Sequence, residues 1–147
     1  MRVVLDTNIL FSSLISPHGF PNLIYQSWCK NRFDLITSKV QLDELRRASK
    51  YPKFKAVLHP HEVGSMLNTL RHAVVLSDLS YSEEIEADDP NDSFLLAMAL
   101  IGKADYLVTG DYRAGMLQRN NIARTRIVLP SVFCLNILKI RMIFNKK

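Results

Sequence analysis

At 147 residues, 48% of them hydrophobic and 22% charged, the chain has the size and composition of one folded domain, which excludes intrinsic disorder. No run approaches the ~18–20 apolar residues of a membrane span, and Asp6 and Asn8 break the apolar start before any small-residue cleavage site, so neither a span nor a signal peptide is expected. Net charge is +5, unevenly spread: residues 1–111 hold 11 basic and all 14 acidic residues, and the last 36 hold eight basic residues and no acid. A basic end suits a polyanion or an acidic protein; a solvated helix face accounts for it equally well. Cys29 and Cys134 lack metal-ligand spacing and are expected reduced and buried in helices, in the cytoplasm.

Arg2 to Leu5 reads as a strand, with Asp6 at its end, and Asp6 either caps a helix beginning at Thr7 or serves a site. A carboxylate there tends towards the interior, where a charge needs a cation or hydrogen-bond donors. Pro21 opens a helix running to about Asn31. FDLITS (33–38) is a second strand, and Ser38 with Gln41 forms a capping box for a helix from Lys39 to Ala48. Residues 51–73 read as helices broken near His59-Pro60. AVVLS (73–77) is a third strand. Residues 81–90 are an acidic loop, within a stretch from Asp78 to Asp92 that holds seven acids. An apolar helix runs from Pro90 or Asn91 to Ile101. YLVTG (106–110) is a fourth strand, followed by a short helix near 114–119. RIVLP (126–130) is a fifth strand, and Ser131 caps a last helix through Leu138. Strands alternating with helices imply a mostly parallel five-stranded sheet in an α/β sandwich, one domain over residues 1–147.

Ligands of such sheets gather at the carboxyl ends of the strands. Asp6 and Asp111 follow strands one and four. Glu44 lies on the helix after strand two, and Asp92 in the first turn of the apolar helix; both helices are expected on one face, pointing at the strand ends. Two like charges ~6 Å apart cost about 3 kcal/mol at an effective dielectric near 20. Four clustered carboxylates therefore protonate or bind cations, and oxygen-only ligands favour Mg²⁺ or Mn²⁺. Each also has a plainer role: helix cap for Asp6, first-turn charge for Asp92, surface pair with Arg47 or Lys39 for Glu44, turn former for Asp111.

DTN at 6–8, Glu44-Leu45, DPND at 89–92, YLVTGD at 106–111 and IVLPSVF at 127–133 together resemble the PIN-domain family, in order and spacing along essentially the whole chain, and its bacterial toxin-like branch in particular. The resemblance implies an RNase-H-like three-layer α/β/α sandwich and an endoribonuclease dependent on Mg²⁺ or Mn²⁺, hydrolysing RNA to a 5′-phosphate and a 3′-hydroxyl. It makes Asp6, Glu44, Asp92 and Asp111 the catalytic metal-binding carboxylates, with Asn8 and Thr109 as supporting polar residues. An antitoxin protein is the implied partner, and a dimer the default assembly. Arg113 stands where related sequences often carry a second acid; it either reduces the metals held or faces the scissile phosphate. Asp88 and Asp89 either supplement the ligands or belong to a solvated loop.

The alternative is a PIN fold that has lost efficient catalysis and binds RNA or protein. A receiver-like phosphoacceptor is disfavoured: it expects paired acids after strand one and a late lysine, whereas Lys103 precedes strand four. His18, His59, His61 and His72 read as surface residues. Lys50, Lys53 and Lys55 read as a solvated face before an RNA contact, and the 51–72 helices as a dimer face or an antitoxin groove.

Overall fold

The computed structural model describes residues 1–79, 90–110 and 116–141. Six strands form one sheet in the order β3-β2-β1-β4-β6-β5. They are β1 (Arg2–Leu5), β2 (Asp34–Ser38), β3 (Val74–Leu76), β4 (Tyr106–Val108), β5 (Asn121–Ile122) and β6 (Thr125–Val128). All neighbours pair in parallel except β5 with β6. The sheet thus has one strand more than the five expected: β5 is two residues long and pairs antiparallel across a tight turn, too short to leave a periodic signature.

The helices are α1 (Thr7–Ile15), α2 (Phe20–Cys29), α3 (Lys39–Ala48), α4 (Pro52–Lys55), α5 (Pro60–Leu70), α6 (Pro90–Ile101), α7 (Met116–Arg119) and α8 (Pro130–Val132). A π-helical turn, Phe133–Ile137, extends α8. Leu129, not Ser131, is the N-cap of α8, because Pro130 supplies a preset first helical residue.

Strand alternation builds the three layers. Val3, Leu5, Leu35, Val108 and Val128 face one way, into a core with α1, α2, α3, α5 and the π turn. Val4, Ile36, Leu107 and Ile127 face the other way, onto α6 and Leu117 of α7. Leu95, Leu96 and Met98 are fully buried, each contributing about 1.5–3 kcal/mol. This overturns the placement of α3 and α6 on one face. From β1 the chain steps outward to β2 and β3, then returns across β1 to β4, and right-handed crossovers made in opposite directions put their helices on opposite faces.

Of the two cysteines, Cys134 is buried and Cys29, expected buried, is exposed at the end of α2; they are not bridged. Burial pushes the Cys134 thiol up to about 11. The four histidines are exposed, as expected. Among the described residues, no helix is long and apolar enough to cross a membrane.

Candidate active site

The strand order reverses between β1 and β4, so their carboxyl ends lie side by side at the switch point of the sheet. At such a reversal, the helices that follow the two strands diverge to opposite faces and leave the strand ends open to a ligand. Asp6 follows β1 there and Thr109 follows β4. The backbone N–H of Asp6 donates to the Val108 carbonyl at 2.9 Å, which extends the β1–β4 ladder to the edge. Asp6 is only 6% exposed. Its Oδ2 accepts from the Thr109 hydroxyl at 2.7 Å, and its Oδ1 from the Asn8 backbone N–H at 3.2 Å. Asp6 caps α1, the plainer of its two readings, and its carboxylate is buried and oriented where β1 and β4 end.

Thr109 stands where the sequence places it, fully buried against Asp6. Asn8 acts through its backbone amide, while its side chain is exposed. Glu44 is half-buried on α3 and pairs with Arg47, one of the plainer roles weighed for it. Arg47 also faces the Tyr51 hydroxyl, and Tyr51 and Glu44 together raise the pKa of its guanidinium. Asp92 lies in the first turn of α6, at the end whose unpaired N–H groups favour an anion; its side chain, and all of Asp88, Asp89, Asp111 and Arg113, lie outside the described residues. Among the described residues, no three of the His, Cys, Asp and Glu side chains are grouped for a metal.

Gln41 does more than complete a helix cap. Its backbone N–H donates to the Ser38 hydroxyl at 3.0 Å, half of the expected capping box. Its side chain does not reach back to the cap. Fully buried, it accepts from the Thr37 hydroxyl at 2.7 Å and donates to the Leu5 carbonyl at 2.7 Å and the Thr7 hydroxyl at 3.4 Å. It fastens α3, three residues before Glu44, to the strand end that carries Asp6. A polar residue in the first turn of a helix was its signal, and the cap reading absorbed it.

The arrangement defines a class: a mostly parallel three-layer sandwich with a buried carboxylate at the switch point of its sheet. The sequence matches the PIN domain family over residues 2–113, and the chain belongs to that family. Six solved chains are similar in structure. One belongs to the crystal structure of VapBC2 from Rickettsia felis bound to a DNA fragment from its promoter. It superposes with a TM-score of 0.59 at 20% identity, over 88% of this chain and 98% of that one. No curated protein sequence matches the chain.

Proposed function

We propose that this PIN domain is a divalent-metal-dependent endoribonuclease, the toxin component of a toxin–antitoxin pair. The observation that carries the reading is Asp6: a buried carboxylate at the switch point, oriented by a hydroxyl from the adjoining strand end. Family membership supports a nuclease, and the VapBC complex of the Rickettsia felis relative supports an antitoxin partner.

The donor chemistry fits a hard cation. Asp6 and Glu44 would hold Mg²⁺ or Mn²⁺ with Asp92 and Asp111, all four through oxygen. When bound, the ion supplies Lewis acidity and an activated water for displacement at phosphorus. Thr109 and the Asn8 amide keep Asp6 oriented at the switch point. Gln41 keeps α3 in register with β1, and so fixes Glu44 relative to Asp6. Re-aiming Glu44 costs little, because the Arg47 it leaves is 62% exposed and exposed pairs are worth ~0–1 kcal/mol.

The test is cleavage of mixed structured and single-stranded RNA by the purified chain with Mn²⁺, with Mg²⁺ and with chelator. Cutting that requires metal and disappears in Asp6→Asn and Asp92→Asn is expected. RNA retained by wild type and variants alike, and never cut, favours the binding-module alternative.

A further inference from the structure

Arg124, one of the C-terminal basic residues, is engaged away from the candidate site. Arg124 pairs with Asp105 at 2.6 Å, and Asp105 in turn accepts from the Arg2 backbone N–H at 2.8 Å. These residues stand at the amino ends of β1, β4 and β6, across the sheet from Asp6.

A second basic run starts beside Glu44. Residues 45–61 hold Arg46, Arg47, Lys50, Lys53 and Lys55 and no acid. Arg46 and Arg47 pair with Asp43 and Glu44. Lys50, Lys53 and Lys55 are exposed, and none is in an ion pair among the described residues. The run borders a groove of about 470 Å³ between α3 and α5. Its rim carries Arg46, Lys50 and Lys55, and its floor is Leu58, Val63 and Leu67. Gly64 opens it further: a Cβ there would meet nothing within 4 Å.

The groove and Glu44 share α3. At about 3.6 residues per turn, Lys50 and Arg46 stand roughly 120° and 160° around the helix from Glu44, with Arg47 on the exposed face between Glu44 and Lys50, so RNA passing from the site to the groove would cross that face. Beside the rim, Lys53 sits 4.8 Å from the Phe54 ring centroid, and Phe54 stacks on Phe11 of α1 with centroids 4.4 Å apart. Tyr51, the N-cap of α4 between Lys50 and Lys53 in sequence, is 45% exposed.

We propose that the α3–α5 groove seats the single-stranded RNA flanking the bond to be cut. Its phosphates lie on Lys50, Lys53 and Lys55, and its unpaired bases lie on Tyr51 and the apolar floor. The proposal rests on the ribonuclease reading and specifies where its substrate runs. Charge complementarity selects a polyanion, and an apolar floor beside cations selects bases that are unpaired; a duplex keeps its base faces stacked away. An acidic helical peptide would use the rim but leave Tyr51 idle.

The experiment is fluorescence anisotropy of a short labelled oligouridylate with the full chain in chelator, across a salt series. The Lys50→Ala/Lys53→Ala/Lys55→Ala variant should weaken binding on the order of 10- to 100-fold at low salt. It should also reduce the log–log salt slope by about 2, near 0.7 for each phosphate no longer neutralised. Lys30→Ala, a cation at the end of α2, should leave the slope unchanged. Gly64→Trp sets a large side chain on the groove wall, where a Cβ meets nothing within 4 Å, and should weaken binding several-fold at the wild-type slope.

An unchanged slope in the triple variant, undiminished binding by Gly64→Trp, or equal binding of duplex RNA overturns the proposal. So does a labelled acidic amphipathic peptide that binds where oligouridylate does not. Because metal is absent, the result stands apart from catalysis: RNA held in the groove yet never cut when Mn²⁺ is added would support this seat and sink only the nuclease reading.

Discussion

Asp6 and Thr109 make the residue-scale argument. A hydroxyl donating to a carboxylate is worth about 1.5–3 kcal/mol when one partner is charged. Thr109→Val keeps the shape and removes the donor at 2.7 Å. It should lower stability by roughly 1–2 kcal/mol in urea unfolding and weaken Mn²⁺ affinity measured by calorimetry, since Asp6 loses its aim. A stability loss with unchanged affinity would make the hydroxyl purely structural. Gln41→Leu removes three side-chain hydrogen bonds at a fully buried position and should cost about 2–4 kcal/mol. Asp6 was legible in the sequence because it closes a strand, and Thr109 only through the resemblance carried by YLVTGD. Gln41 was not, because its partners come from β1, α1 and β2 and only packing brings them to α3.

At the scale of elements, most of the chain was legible. Lys39 to Ala48 is a helix with Ser38 as its cap, as read. The break at His59-Pro60 separates α4 from α5, as read. The failures have one cause: periodicity reports an element's type and is silent on its neighbours. It missed the two-residue β5, the π turn, and the separation of α3 and α6 to opposite faces. Gly102 tests how tightly α6 is fixed. It follows α6, and a Cβ there would stand 2.7 Å from the Met98 carbonyl oxygen and 2.8 Å from a methyl of Ile36. Gly102→Ala should therefore cost about 1–3 kcal/mol, read as a lower urea midpoint. Gly64→Ala, in open space on α5, should be neutral or slightly stabilising.

Across the whole molecule, the two ends of the sheet use carboxylates differently. At the amino end, Asp105 accepts from the Arg2 amide and then from Arg124, and both lower its pKa below the usual 3.8. A carboxyl lowered on folding adds stability above its unfolded value and loses it as pH falls through the folded one. Asp105→Asn should therefore lower the urea midpoint near neutrality and flatten its decline below about pH 4. At the carboxyl end, the proposed function requires four carboxylates to share a cation, without which they would repel one another. Mn²⁺ at about a hundred times its Kd should stabilise the fold by about 2.7 kcal/mol, a Tm rise of roughly 5–10 °C for a chain of this size. Asp6→Asn removes one of those charges but also the charged acceptor of the Thr109 hydroxyl, so the readout is the metal response alone: added Mn²⁺ should no longer raise its Tm above its own value in chelator. The same Mn²⁺ shift in Asp6→Asn would place the cation elsewhere and leave Asp6 with its helix cap alone.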